Sequence, residues 1–181
     1  MMVGLPGENR RTTLATGRTV AALAPDFVRI YPTLVLRGSR LAGWYQAGTY
    51  RPLEMADCVD RLKALHRIFT DAGIPVIRMG LQANEGIDSG DEVMAGPYHP
   101  ALGHMVKSER YFDVAVEAIA ALPQQPARLS LCVAPRQVSA MRGLKNENIQ
   151  RLHRRFAAID RFDVKADPAI SDMDVKISVG P

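Results

Sequence analysis

The spacing of apolar residues predicts alternating helices and strands in the first half of the chain. Residues 54–72 repeat apolar side chains every three or four positions, which is the period of an amphipathic helix. Gly73 follows this segment, as a helix C-cap would. Residues 8–23 and 40–47 predict two further helices.

Two stretches between these helices predict strands. PDFVRIYPTLVL is rich in β-branched and aromatic residues, and IPVIRMGL is continuously apolar. Pro32 lacks the N–H that a central strand donates, so the strand over 28–34 is predicted to end or bulge there. The order helix, strand, helix, strand indicates an α/β fold built from parallel βα units.

The second half of the chain changes character. Residues 111–122 predict a helix, PQQPAR a break, RLSLCVAP a strand, and 144–159 a helix with one apolar face. FDVKAD and DVKISVG predict two short strands. The expected domains are a βα-type domain over 1–122, a linker over 123–127 and a small α+β appendage over 128–181.

Composition and charge narrow the class of protein only slightly. The chain has 181 residues, a formal net charge of +4 and a pI near 9.3, which permits contact with phosphates without requiring nucleic acid. No apolar run is long enough to span a membrane, and the N-terminus has no signal-peptide pattern. Cys58 and Cys132 are expected to be buried thiols in a reducing cytoplasm.

The GLPGE stretch near the N-terminus resembles a phosphate-binding loop only in its glycines. It lacks both the GxGxxG pattern and the Gly-Lys-Ser/Thr that follow such loops. We expect a tight turn. The preceding residues, 1–3, are few for a strand, so we expect the first strand of the fold to be incomplete.

Candidate substrate residues lie near the end of the second predicted strand. Arg78 and Gln82 fall at its carboxyl end, the end that carries the site in barrel-type folds. Tyr98 and His99 lie in the glycine-rich and acidic stretch 83–104, which is expected to be a long and often functional loop. The alternatives are an ion pair of Arg78 with a loop carboxylate and a hydrogen-bonded, structural His99. No metal site is expected.

Basic residues also follow one face of the helix predicted over 144–159. Arg151, Arg154 and Arg155, with Lys145 upstream, could bind RNA or phosphate. Such a stripe is more often a solvated face, and no aromatic residues interleave with it to stack on bases.

Several longer sequence segments resemble the second half of radical SAM proteins of the elongator-like and coproporphyrinogen-oxidase-like group. These segments are VGLPGE, PDFVRIYPTLVLRGSRLAGWYQAGTYRP, GIPVIRMGLQ and AGPYHP. The resemblance implies the last βα units of an open six-stranded barrel. It also implies a parent enzyme, an oxidoreductase or an RNA- or tetrapyrrole-modifying enzyme, that uses S-adenosylmethionine and a 4Fe–4S cluster held by a CxxxCxxC loop.

This chain lacks the CxxxCxxC loop, so it is expected to hold no cluster and to be inactive alone. The resemblance implies S-adenosylmethionine contacts at Gly4, Leu5, Ile30, Tyr31, Pro32 and Thr33. It places Arg78, Gln82, Tyr98 and His99 toward the substrate.

We therefore expect the C-terminal part of a radical SAM enzyme, partnered by the missing half-barrel or by a second copy. The alternatives are a non-catalytic module that binds RNA or a protein, and an inactive truncated remnant.

Overall fold

The computed structural model describes residues 1–81 and 91–179. The chain divides into two compact units, Met1–Gly103 and His104–Pro181. This division lies earlier than the linker expected over 123–127. The expected domain limits, which concern a barrel and its extension, stay a prediction.

The described residues of the first unit form two small sheets and three helices. The three-stranded sheet is parallel, with β2 in the centre between β1 and β4, and β3 pairs antiparallel with β5. In chain order the elements are β1 (Met2–Val3), α1 (Arg10–Ala22), β2 (Val28–Pro32), β3 (Val35–Leu36), α2 (Arg40–Gln46), α3 (Met55–Asp71), β4 (Val76–Met79) and β5 (Val93–Ala95).

Helices α1 and α3 form where the apolar period predicted them. Asn9 begins α1 with a capping box, since its side chain accepts from the Thr12 amide while the Thr12 hydroxyl accepts from the Asn9 amide. At Gly17 an added Cβ would lie 2.4 Å from a Leu65 methyl of α3. Glycine therefore allows α1 to approach α3 closely, while Phe69 and Leu65 of α3 are completely buried.

The central strand ends at its proline, as predicted. β2 stops at Pro32, short of residue 34, and the Thr33 amide donates to the Val3 carbonyl at 2.8 Å. The following residues form β3, which pairs with β5. The prediction of a long loop over 83–104 is therefore wrong at Val93–Ala95, where a strand forms by pairing with a distant segment.

The second unit is a mixed sheet packed with helices. Its strand order is β7-β6-β8, with β7 parallel and β8 antiparallel to the central β6. In chain order the elements are α4 (Leu102–Ala120), which begins just before the division, β6 (Arg128–Val133), a 3₁₀ turn (Pro135–Gln137), α5 (Val138–Arg142), a 3₁₀ turn (Leu144–Asn146), α6 (Glu147–Arg155), β7 (Arg161–Ala166) and β8 (Lys176–Val179).

Two helix limits differ from the sequence expectation. α4 begins at Leu102 rather than at 111, and it includes His104, which the neighbouring proline and glycine had argued against. α6 covers only Glu147–Arg155 of the predicted 144–159, because Lys145 and Asn146 adopt positive φ angles and break the helix before it. The two predicted C-terminal strands are confirmed as β7 and β8.

One contiguous core holds the second unit together. Its fully buried side chains come from α4, the three-stranded sheet and the helices between β6 and β7. The core residues are Tyr111, Ala115, Ile119, Leu129, Leu131, Val133, Ala140, Met141, Leu152, Phe156, Ile159 and Phe162.

The architecture is α/β, and the residues that the structure describes form no closed barrel. None of the helices within 1–81 and 91–179 is long and apolar enough to cross a membrane.

Candidate functional site

The GLPGE turn satisfies its own amides. The Glu8 carboxylate accepts from the Gly4 amide and, at 3.3 Å, from the Leu5 amide, and the Glu8 amide donates to the Leu5 carbonyl at 2.9 Å. A bound phosphate would need these same N–H groups and would face the carboxylate. The turn is therefore a structural one, as the sequence indicated.

Tyr50 fixes this turn from inside the unit. Its hydroxyl donates to the Gly4 carbonyl at 2.6 Å, and Gly4 itself has a φ angle of +87°. Burial, with a smaller contribution from the Glu8 carboxylate, raises the pKa of Tyr50. The phenol is thus kept in the protonated form that can donate this bond.

The end of β2 carries four residues predicted to contact a cofactor. Ile30 is completely buried and its carbonyl accepts from the Gly80 amide at 3.0 Å, so it supports the strand from within the core. Pro32 is buried and Tyr31 is half-buried. Thr33 is only 4% exposed, and its hydroxyl has no hydrogen-bond partner within residues 1–81 and 91–179. A buried hydroxyl without a partner is rare and requires an explanation.

The carboxyl ends of the three parallel strands lie at one edge of their sheet. Val3 pairs with Pro32, and Ile30 pairs with Met79, so Gly4, Thr33 and Gly80 follow the ends of adjacent strands. This edge is where parallel α/β sheets place their ligands. The predicted cofactor residues Gly4 and Thr33 are brought to this edge together, and Leu5 is exposed beside them.

A cavity of about 440 Å³ lies in the same unit. It is lined by Tyr45, Arg51, Pro52, Leu53, Glu54, Met55, Ala95, Gly96 and Pro97. Residues of the two sequence segments TYRP and AGPYHP thus line the same cavity. The cavity contains an exposed cation, an exposed carboxylate and an aromatic ring, which together suit a polar ligand with a planar group.

Gly96 joins this cavity to the end of β2. Its φ angle is +120°, and an added Cβ would lie 3.1 Å from the Thr33 carbonyl oxygen and 3.0 Å from a Leu34 methyl. Only glycine combines this backbone conformation with so close an approach. The cavity wall at Gly96 is therefore packed directly against the segment that follows β2.

The predicted substrate residues do not line this cavity. Arg78 is exposed on β4. The His99 Nδ1 accepts from the Ala101 amide at 3.0 Å, and its carbonyl accepts from the Leu102 amide, so His99 organises the start of α4. Tyr98 is half-buried beside it, and Gln82 lies outside the described residues. Their roles toward a substrate stay a prediction.

The basic stripe is not uniform. Arg151 forms a two-pronged ion pair with Glu109, with Nη2 3.1 Å from Oε2, and its guanidinium lies 3.7 Å from the Phe112 ring centre. Its side chain is therefore used within the protein, which the sequence could not indicate. Arg154 and Arg155 are exposed at the end of α6.

The two cysteines do not fit an iron–sulfur cluster. A 4Fe–4S cluster of this class needs three thiolates, and the chain has two cysteines. Cys58 is completely buried, and burial raises the pKa of its thiol to about 12. Across the described part of the chain, no three His, Cys, Asp or Glu side chains are grouped to hold a metal.

Sequence reasoning missed the cavity residues Tyr45, Arg51, Glu54 and Gly96 as a group. The available signal was that TYRP and AGPYHP both belong to the segments that resemble radical SAM proteins. Their meeting in space depends on the pairing of β3 with β5.

Comparisons with known proteins bear on the same segment. Residues 25–112 match the family model of the Radical_SAM C-terminal domain. An uncharacterized protein of Methanocaldococcus jannaschii is 35% identical over 54 residues, which are 30% of this chain and 17% of that protein. A tRNA uridine(34) acetyltransferase of Dehalococcoides mccartyi is 36% identical over 70 residues, which are 35% of this chain and 15% of that protein. The aligned segments span less than a fifth of either relative. The resemblance to radical SAM proteins is confirmed.

Proposed function

Since residues 25–112 belong to the radical SAM C-terminal domain family, we propose that the chain is the C-terminal part of a radical SAM enzyme. Its three parallel strands are then the last strands of an open six-stranded barrel. The observation that carries this proposal is the position of the family match. It includes both the end of β2 and the residues that line the cavity beside it.

The strand edge is the proposed surface for S-adenosylmethionine. The Thr33 hydroxyl, which has no partner among the described residues, can hydrogen-bond an adenine or ribose group, and Gly4 lies at the end of the adjacent strand. Leu5 and Tyr31 supply apolar surface, while the buried Ile30 and Pro32 act through the strand that they form. S-adenosylmethionine with a reduced cluster supplies a 5′-deoxyadenosyl radical in this family. The cluster ligands are not among the residues of this chain.

The cavity is the proposed substrate surface. Arg51 can pair with an anionic group, Tyr45 can stack on a planar one, and Glu54 can accept from an N–H or O–H donor. We also propose substrate-binding roles for Arg78, Tyr98 and His99, and for Gln82, which lies outside the described residues. Because one relative is named as a tRNA uridine(34) acetyltransferase, a tRNA nucleotide is the substrate class we propose. A further half-barrel or a second copy of the chain is the proposed partner.

Adenosine titration followed by ¹⁵N NMR tests the cofactor surface. We expect the amide resonances of Gly4, Leu5, Thr33 and Gly80 to shift at millimolar adenosine. Thr33→Val, which keeps the side-chain shape but removes the hydroxyl, should weaken this binding about tenfold. The matched control is Thr19→Val, which makes the same change at an exposed position of α1.

Two outcomes would contradict the cofactor assignment. One is adenosine shifts confined to residues away from the strand edge. The other is binding that Thr33→Val leaves unchanged. Independently, reconstitution with iron and sulfide should leave the chain without a stoichiometric cluster. A cluster at one per chain would contradict the assignment of its ligands to other residues.

The exposed Arg154 and Arg155 favour the second candidate function, a module that binds RNA without catalysis. Its affinity for tRNA should fall steeply with salt and should drop in Arg154→Ala/Arg155→Ala. Binding to tRNA that does not respond to salt would exclude this candidate.

A further inference from the structure

The second unit contains another cavity, of about 470 Å³, formed by residues that lie between β6 and α6 in the sequence. Arg136, Arg142 and Lys145 line it, and no acidic residue is among the described residues that do. The remaining lining residues are Pro135, Val138, Ser139, Gly143 and Asn146. This cavity lies outside the segment matched by the family.

The three cations of this cavity are not neutralised by the protein. Among the residues that the structure describes, none of the three side chains forms an ion pair or a hydrogen bond. By contrast, Arg151 in the same unit is paired with Glu109 and stacked on Phe112. Three like charges around one space repel each other, so an anion placed there lowers the electrostatic energy of the loop.

The loop that carries these cations is held in a fixed and costly conformation. Gly143, Lys145 and Asn146 all have positive φ angles, which costs of order 1–3 kcal/mol at a non-glycine residue. Asn148, which is 1% exposed, donates to the carbonyls of Met141 at 3.2 Å and Ser108 at 2.9 Å. The cations are therefore presented by an anchored backbone, so the backbone needs no ordering when a ligand binds, and only the side chains lose rotamer freedom.

Glycine is required at the centre of this loop. An added Cβ at Gly143 would lie 3.1 Å from the Asn148 amide nitrogen and 3.1 Å from the Ser108 hydroxyl. The next helix, α6, starts at Glu147 directly after this loop, and its first N–H group donates to the Leu144 carbonyl.

We propose that this cavity binds the phosphate group of a phosphorylated ligand. Arginine forks match the paired oxygens of a phosphate, and lysine supplies a point charge. The GLPGE turn is a contrast, because there the protein's own Glu8 carboxylate occupies the amides. The site accepts either a free phosphorylated molecule or a phosphate of an RNA backbone, since the recognised chemistry is the same.

Pyrophosphate titration of the full chain, followed by ¹⁵N NMR, tests the site. We expect shifts in the amide resonances of residues 136–147. Arg136→Ala/Arg142→Ala/Lys145→Ala should weaken binding at least about tenfold, since it removes three charge-assisted contacts. The three side chains are exposed, so this variant should stay folded.

The matched control removes three exposed cations of the same unit that do not line the cavity: Arg128→Ala/Lys165→Ala/Lys176→Ala. It has the same net charge as the test variant. Unchanged pyrophosphate affinity in the control supports a specific site. Equal losses in both variants, or no shifts in 136–147 at millimolar pyrophosphate, would overturn the proposal.

A second experiment distinguishes an RNA backbone from a free phosphorylated molecule as the source of the phosphate. If a short RNA oligomer shifts the same amides and pyrophosphate displaces it, the site holds an RNA backbone phosphate. If pyrophosphate binds and RNA does not reach these amides, the site holds a free phosphorylated molecule. Both results support phosphate recognition, whereas failure of both pyrophosphate and RNA to shift these amides counts against it.

Discussion

The two units of the chain bury their apolar surface to different degrees. In the second unit, a single core includes side chains from every layer, and only Leu144 and Val179 are large, apolar and exposed among its described residues. In the first unit, α3 packs against the strands of the parallel sheet, while exposed apolar side chains occur on β1, β3, β4 and α2 and in the loops. These exposed residues include Met2, Leu5, Phe27, Trp44, Tyr45 and Ile77.

The difference suggests different roles. A unit with a complete core is stabilised by its own residues, whereas exposed apolar side chains near a cavity mark a surface for a ligand or a further protein segment. The first unit also carries the buried Thr33 hydroxyl, which has no hydrogen-bond partner among the described residues. Such departures from good packing are expected where a site must remain open to its ligand.

The sharpest test compares a core leucine with an exposed isoleucine. Leu131→Ala removes a completely buried side chain from β6 and should lower the free energy of unfolding of the second unit by about 2–5 kcal/mol. Ile77→Ala, at a side chain 51% exposed on β4, should change stability by less than about 0.5 kcal/mol.

Hydrogen exchange resolves the two variants by region. Loss of protection in β6 and β7 is expected for Leu131→Ala, while Ile77→Ala should leave β2 and β4 protected. Losses of the same size in both variants would show that the sheet face of the first unit is as tightly packed as the second core.

Glycine substitutions in the first unit test how tightly the site is built. Gly96→Ala combines an unfavourable φ of +120° with contacts of 3.0–3.2 Å to the Thr33–Leu34 backbone and side chain, and should cost about 2–4 kcal/mol. Gly7→Ala has a similar φ problem but meets nothing within 4 Å, and should cost about 1 kcal/mol.

Urea unfolding followed by tryptophan fluorescence measures both glycine variants, because Trp44, the single tryptophan, lies in the first unit. Equal effects of the two substitutions would mean that the close approach of Gly96 to Thr33 contributes nothing. The cavity wall would then be looser than the geometry indicates.

The sequence predicted the helices and strand ends that are determined by residues close together in the chain. The three- and four-residue period located α3, and the missing N–H of Pro32 located the end of β2. The strand β5 was missed because three residues carry no period and because its partner β3 lies more than fifty residues earlier. The first half of α4 was missed because Pro100 and Gly103 obscure its start, which His99 stabilises through hydrogen bonds.

The candidate site was predictable only in part for a similar reason. The segments that resemble radical SAM proteins predicted Gly4 and Thr33 as candidates, but whether Thr33 has a hydrogen-bond partner depends on the packing around it. The same holds for Arg151, whose pairing with Glu109 crosses 42 positions of sequence. The sequence predicted a tight turn at GLPGE, but the bonds that hold it, from the Gly4 and Leu5 amides to the Glu8 carboxylate, are visible only in the three-dimensional structure.

Alkaline pH should destabilise both units, because each contains at least one buried acid whose pKa is raised, with Tyr50 and Cys58 in the first unit and Tyr111 in the second. Burial raises the pKa of Cys58 from 9.0 to about 12 in the first unit, and that of Tyr111 from 10.0 to about 12 in the second. The unfolded chain loses these protons first, so stability is full below the unfolded pKa and falls as pH rises toward 12. Each group contributes a slope of about 1.4 kcal/mol per pH unit within its window.

Two single substitutions show which buried acid causes the loss of stability at alkaline pH in each unit. Cys58→Ala should flatten the pH dependence of tryptophan-detected unfolding from about pH 9, and Tyr111→Phe should flatten that of the second unit from about pH 10. Tyr111→Phe also removes the bond that the hydroxyl accepts from the Met173 amide at 2.8 Å, which lowers stability at every pH. A slope unchanged by Cys58→Ala would mean that this thiol ionises in the folded state near its ordinary pKa.

The smallest expected difference concerns two ion pairs, one in each unit. Arg151→Ala removes a two-pronged pair with Glu109 and the contact with the Phe112 ring, and should cost about 1–2 kcal/mol. Arg10→Ala breaks an exposed pair with Asp60 at 2.9 Å, and should cost less than about 0.5 kcal/mol. Urea unfolding in low and high salt measures both, and only the small Arg10 effect should vanish in high salt. If the Arg151 effect vanished as well, the pair would be a solvated surface contact, and the second unit would depend on its apolar core alone.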